Sequence, residues 1–301
     1  MISFAGVTKR FGGRVAVAGL TLDVRPGEVT ALLGPNGSGK TTTLKIAAGL
    51  IRADDGSVTV FGAPAWDRAA RAQLSYLPQR VAFPEALTGR EVVEFYRRLR
   101  GAPAEMTDAA LALASLNGAS ARPVGTYSGG MTQRLGLAVA TLRGAGALLL
   151  DEPTAALDPQ GLDAFYDLID RDRRDRTVLF TSHQVADVER VADRVLVLAG
   201  GTLVADLPRS TLQQWRDAHG TMRARARGAA AALEGVRRLA PDARLDGDEI
   251  VVTGPAMSRA GVLDAIRAAG LVVDSLVAEP ARLETLYTAL IAAHAPAGGQ
   301  P

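Results

Sequence analysis

One run constrains this chain more than any other: Gly34-Pro35-Asn36-Gly37-Ser38-Gly39-Lys40-Thr41-Thr42. It fits the spacing G-x-x-x-x-G-K-[ST]. It lies between an apolar run at 28–33 and a segment of helical periodicity at 40–50, the strand–loop–helix context that this spacing requires. Glycines let the backbone curl so that successive N–H groups face one anion, and the following helix adds the positive end of its dipole. In such a loop Lys40 reaches the β- and γ-phosphates of a nucleotide, the Thr41 hydroxyl ligates Mg²⁺, and Thr42 lies on the phosphates beside it. The alternative is a glycine-rich turn that merely starts a helix. Composition weighs against it: of 34 basic residues only Lys9, Lys40 and Lys45 are lysine, and one stands where a compact ammonium is needed.

Two further segments carry chemistry. The apolar run 147–150 ends in Asp151-Glu152, so a buried strand delivers carboxylates to a sheet edge, where ligands of open α/β sheets collect. Asp151 would hold Mg²⁺ through water, and Glu152 is suited to take a proton from an attacking water. A strand ending in an acid for structural reasons is the alternative. Tyr127-Ser128-Gly129-Gly130-Met131 precedes a helix and reads as a second anion cradle, or else as a helix cap with a glycine turn.

The rest of the chain bounds the fold. A length of 301 residues is a prior of about two domains. Strand patterns alternate with helical ones, which implies an α/β fold with a mostly parallel, helix-covered sheet. The reading gives strands at 2–7, 20–24, 28–33, 57–61, 74–77, 147–150 and 177–181, and a hairpin around Gly200-Gly201. Helical texture dominates from about 87 to 142. Beyond a boundary at 218, the order is strand 222–227, helix 229–239, strands 243–245 and 249–252, helix 258–269 and strand 271–277. That βαββαβ order fits a small ferredoxin-like α+β domain at 219–294, followed by a frayed tail at 295–301. No apolar run reaches the roughly 18 residues of a membrane helix, and the first residues lack the pattern of a signal peptide. A net charge of +2 is too weak to argue for nucleic acid. With no cysteine, disulfides and thiolate chemistry are excluded.

The three segments, in this order and spacing, resemble the nucleotide-binding subunit of ATP-binding-cassette (ABC) transporters over about residues 1–216. The resemblance implies a P-loop NTPase cassette with an antiparallel β subdomain and a helical subdomain, an ATPase using ATP and Mg²⁺. It also implies roles for residues ordinary in themselves. Phe11 would stack on adenine, although it could equally be core. Gln79 would sense Mg²⁺ and the membrane partner. Asp158 would lie at the dimer interface, or simply cap a helix. His183 would contact the γ-phosphate, beside Glu152 as base and Lys40. Two copies would pair as a homodimer, with Ser128, Gly129, Gly130 and Met131 of one covering the nucleotide held by the other. Tyr127 and Met131 depart from the commonest signature, which has Leu and Gln at these places; the catalytic positions are intact.

The segment after Gln79 and the C-terminal unit, ending Glu279-Pro-Ala-Arg-Leu-Glu-Thr-Leu-Tyr287, look like those of subunits serving ABC-2-type permeases. Within that group the chain is most similar to the ATPase of the copper-maturation transporter for nitrous oxide reductase. The stretches that carry this are Tyr76-Leu-Pro-Gln79, Leu87-Thr-Gly-Arg-Glu91, residues 126–137 and Phe165-Tyr-Asp-Leu-Ile-Asp170. The implied partners are integral membrane permease subunits and, through them, a periplasmic accessory protein. The implied location is the cytoplasmic face of the inner membrane. Other ABC-2 exporters of drugs, lipids or polysaccharides, a soluble non-transport cassette ATPase, and an ATP sensor without turnover are the alternatives. The C-terminal unit stabilises the dimer, regulates it, or is a passive appendage.

Overall fold

The chain opens as two long antiparallel strands, β1 (Ile2–Phe11) and β2 (Arg14–Val24), turning at Gly12-Gly13. This computed structural model describes residues 1–142, 145–173 and 175–294. The order continues β3 (Val29–Leu33), α1 (Lys40–Ala47), β4 (Asp55–Val60), β5 (Ala63–Pro64), α2 (Arg68–Ala72), β6 (Leu74–Leu77), α3 (Gly89–Leu99), α4 (Met106–Leu113) and α5 (Gly129–Ala140). Then come β7 (Ala147–Leu150), α6 (Pro159–Asp172), β8 (Thr177–Ser182), α7 (Val185–Val191), β9 (Arg194–Ala199) and β10 (Thr202–Pro208). The remaining elements are α8 (Arg209–His219), β11 (Thr221–Arg225), α9 (Leu233–Arg237), β12 (Arg244–Asp246), β13 (Glu249–Thr253), α10 (Ala256–Ala268), β14 (Ser275–Glu279) and α11 (Leu283–Ala293). Two compact units divide the chain, Met1–Leu207 with the residues from Leu290 onward, and Pro208–Ala289. Helix α8 therefore groups with the second unit, whereas the sequence boundary at 218 assigned it to the first. The tail expected at 295–301 lies outside the described residues.

In the first unit a six-stranded sheet runs β10-β9-β3-β8-β7-β6, with β3, β6, β7, β8 and β9 paired in parallel. Every residue of β3, β7, β8 and β9 is buried. These strands therefore read as continuous apolar runs, as strands covered on both faces do. A second sheet, β2-β1-β4-β5, is antiparallel. Phe4, Val7, Leu20, Leu44, Leu149 and Leu179 belong to one core shared by these sheets and α1. Buried Arg194 at the start of β9 donates to Asp206 of β10 at 2.6 Å and to the Asp23 carbonyl at 2.9 Å, tying the sheet's edge to β2.

The expected helical region is α3–α5, packed through Val92, Leu111, Leu116, Leu135 and Leu142. Helix α3 begins with a reciprocal cap: Thr88 Oγ1 accepts from Glu91 N at 3.2 Å, and Glu91 Oε2 accepts from Thr88 N at 2.8 Å.

The second unit holds the sheet β12-β13-β11-β14, antiparallel throughout, with Met222, Ala224, Ile250 and Val252 packed with Val236, Val262 and Ile266. Besides the boundary at α8, the strand limits differ at the first hairpin and at the last strand. Strands β1 and β2 run on to a tight hairpin, with Arg10 paired to Val15 and Phe11 to Arg14; residues 8–11 and 14–16 are mostly exposed and show no in–out alternation, so the sequence pattern did not reveal this extension. The last strand is 275–279 rather than 271–277. It is set by pairing of Ser275 with Arg225, a long-range register that the local apolar run 271–273 does not encode.

Candidate functional site

The residues 34–39 form the link from β3 to α1, so the loop sits where the central strand ends. Gly39 is the residue before α1 and has φ +102°; a Cβ there would lie 2.5 Å from the Ala16 carbonyl oxygen. A Cβ on Gly34 would collide with the Leu198 carbonyl. Both positions therefore accept only glycine. Lys40 is 5% exposed, and its Nζ donates to the carbonyls of Gly34 at 2.7 Å and Pro35 at 3.1 Å, closing the loop on itself. Burial pushes its ammonium below the usual lysine value, opposed by the charges of Glu152 and Asp151. The Ser38 hydroxyl is buried with no partner, an unused group inside the cradle.

Strand β7 carries Asp151 and Glu152 to the same edge. Thr41 Oγ1 donates to Asp151 Oδ1 at 3.0 Å, and Thr181 Oγ1 donates to the same oxygen at 2.8 Å. Asp151 Oδ2 is buried without a partner. Burial pushes the Asp151 carboxyl above its usual range, against the pull of these two hydroxyls. A hard cation is the partner such an arrangement lacks. The orphaned carboxylate oxygen beside the Thr41 hydroxyl therefore fits Mg²⁺. Among the described residues no group of three His, Cys, Asp or Glu is arranged to hold a metal ion by itself, so phosphate oxygens and water would complete the coordination.

Glu152 adopts φ +46°, a left-handed conformation that costs a non-glycine residue about 1–3 kcal/mol. Its N–H is held by Thr181 Oγ1 at 2.8 Å. The strained backbone turns its carboxylate to Gln79, whose Nε2 donates at 2.9 Å, and to His183, whose Nδ1 lies 3.5 Å away. Gln79, which the resemblance has sensing Mg²⁺, is joined here to Glu152, next in the chain to Asp151. Thr181 was missed by sequence reasoning, though it bridges both acids. Its one signal was its position two residues before His183 at the end of a buried strand.

The other expected site residues lie apart. Ser128 caps α5, with Oγ accepting from Met131 N at 3.2 Å, and Ser128 and Gly129 are exposed. Among the described residues no hydrogen bond joins Ser128, Gly129, Gly130 or Met131 to the 34–42 loop. Asp158 caps α6, accepting from Gly161 N at 2.8 Å. Phe11 ends β1 at 53% exposure, with Lys9 Nζ 5.4 Å from its ring centre. It is exposed rather than core.

The family described as ABC transporter matches residues 17–155. The uncharacterized ABC transporter ATP-binding protein YxlF of Bacillus subtilis is 38% identical over 207 residues, 67% of this chain and 69% of that protein. Nod factor export ATP-binding protein I of Burkholderia orbicola is 38% identical over 212 residues, 68% of this chain and 70% of that one. Among solved structures, the dimeric post-hydrolysis state of an ATP-binding cassette bound to ADP and Pi aligns with TM-score 0.64 at 24% identity. It covers 69% of this chain and 98% of that one. A bacterial Atm1-family ABC exporter with ATP bound aligns with TM-score 0.63 at 24% identity, over 71% of this chain and 39% of that one. These structures share the fold; the relatives carry the family. The chain belongs to the ATP-binding proteins of ABC transporters, ATPases that use ATP with Mg²⁺.

Proposed function

We propose that the chain is the motor subunit of an exporter-type ABC transporter with ABC-2-type permease subunits, acting as a homodimer peripheral to the cytoplasmic face of the membrane. The carrying observation is the split site. Thr41, Asp151, Glu152, Gln79 and His183 converge at one sheet edge, while Ser128 and Gly129 of the second cradle are exposed and, among the described residues, no hydrogen bond joins that cradle to them. One helix N-terminus cannot serve the phosphate another already holds, so a second copy supplies the missing half.

The residues then have these roles. The backbone of Gly34, Pro35, Asn36, Gly37, Ser38 and Gly39 cradles the phosphates with Thr42. Lys40 exchanges its two carbonyl partners for β- and γ-oxygens, and Phe11 stacks on the base. Thr41, Asp151 and Gln79 would hold Mg²⁺, which when bound neutralises charge on the transferring phosphoryl group. Glu152 accepts a proton from the attacking water, with Gln79 and His183 holding its carboxylate. Ser128, Gly129, Gly130 and Met131 of the second copy cover the γ-phosphate, with Asp158 beside the joint.

Export is supported by the Nod factor relative, and the ABC-2 partner by the C-terminal unit. Service to copper maturation of nitrous oxide reductase rests on the four sequence stretches named above. Transport by another ABC-2 exporter is its rival. Copper content of that reductase after deletion of this chain separates them, and unchanged copper removes the narrower reading. The general reading is tested by Glu152→Gln: turnover falls about 10²-fold or more and an ATP-bound dimer accumulates in light scattering. Wild-type turnover in this variant would overturn the base assignment.

A further inference from the structure

The outer edge of the C-terminal sheet carries an inference independent of the nucleotide site. Strand β14 is paired with β11 on one side and, among the described residues, with no strand on the other. All five of its residues are exposed, Leu276 at 46% and Val277 at 48%. Open edges are usually blunted by lysine, proline or a bulge. Strand β14 holds no lysine, proline or bulge, and its one charge, Glu279, is at its end: its register with β11 runs unbroken from Ser275↔Arg225 to Glu279↔Thr221, and Pro280 stands only beyond it. Alongside lies a groove of about 430 Å³ floored by Met222, Leu263, Leu276 and Ala278 and rimmed by Arg259 and Glu279.

We propose that β14 pairs antiparallel with β14 of a second copy of this chain, about a two-fold axis at Val277, joining two four-stranded sheets into one. The segment is complementary to itself in that register. Ser275 faces Glu279 of the second copy, Leu276 faces its Ala278, and Val277 faces Val277, a β-branched pair of the kind that stabilises antiparallel strands. No like charges meet. The row through the joint reads Glu249, Arg225, Ser275, then Glu279 and Thr221 of the second copy, so opposite charges flank Ser275. Leu276 and Ala278 are in register with Ala224 and Met222, which face the helices. With the two-fold perpendicular to the sheet, the helix layers stay on one side and each groove is continued by that of the other copy. The open row of backbone N–H and C=O groups is thereby paired.

The chain has no cysteine, so one introduced thiol reports cleanly. Val277→Cys in the full chain, without nucleotide, is treated with a short bismaleimide, and Leu245→Cys on the opposite edge strand β12 is the control. The proposal expects a covalent dimer from Val277→Cys and none from the control. It also expects a dimeric mass for the unmodified chain without nucleotide, and a monomeric mass for Val277→Lys with unchanged far-ultraviolet circular dichroism. Should Val277→Lys unfold, the cross-link still decides. A monomer without nucleotide and an uncross-linked Val277→Cys, or equal cross-linking of both thiols, overturns it. Pairing through the nucleotide site requires ATP and is lost in Ser128→Ala; pairing through β14 requires neither, so failure of one leaves the other standing.

Discussion

Asp151 is held by two hydroxyls on one oxygen, its other oxygen is buried without a hydrogen-bond partner though the Tyr76 hydroxyl is near enough to feel the carboxylate, and its carboxyl is pushed up by burial. Its unfolded value is about 3.9. Because the folded value lies above this, stability falls as pH rises through the window between them, and the charge remains a cost at neutral pH. Asp151→Asn keeps an oxygen for Thr41 and Thr181 and removes the buried charge. Without nucleotide its melting temperature should rise, by on the order of 2–4 °C per kcal/mol recovered, while Mg²⁺-dependent turnover is lost. A lower melting temperature at pH 7 would count against this account. Thr181 touches both acids, so Thr181→Val should lower kcat more than it raises KM for ATP. Glu152, no longer held at its strained φ, loses its aim at Gln79 and His183. None of this was legible from the acid pair alone: the Thr181 hydroxyl reaches Asp151 across the pairing of β7 with β8, which no local pattern records.

At the scale of elements, caps that the sequence offered as plain structure prove to be both structural and exposed. Ser128 and Asp158 each accept from the third residue of their helix. Ser128→Ala should cost about 1 kcal/mol of stability. Its diagnostic effect is separate: a fluorescent ATP analogue still binds the single chain, while the ATP-driven dimer fails to form in light scattering. A dimer of undiminished strength would leave Ser128 as a cap only. The cap of α3 is given no part in the proposed nucleotide site. Thr88→Ala should cost a similar ~1 kcal/mol in urea unfolding with turnover little changed, separating helix stability from chemistry within the same subdomain. Elements with strong periodicity or continuous apolar runs, such as β3, β7 and α3, were readable because their burial is written into the residues. The far half of the β1–β2 hairpin was not, because its exposed residues carry no burial pattern.

For the whole molecule the split site sets the kinetics. If each turnover needs two copies, ATPase activity per chain should rise with protein concentration below the dimerisation constant, and an excess of Lys40→Ala chain should depress it by forming mixed pairs. Activity per chain that is independent of concentration down to nanomolar levels would argue for a preformed assembly, such as the one proposed through β14. The sequence by itself determined the phosphate loop, the acid-tipped strand, the αβ alternation and the βαββαβ order, because glycine spacing, apolar runs and turn residues act within a few positions of one another. Only the tertiary structure decided which hydroxyl joins Asp151 to Glu152, that Gln79 lies on Glu152, where β14 begins and that its outer edge is open. Each of these depends on pairing between strands far apart in the chain, and a strand's register is fixed by its neighbour rather than by its own residues.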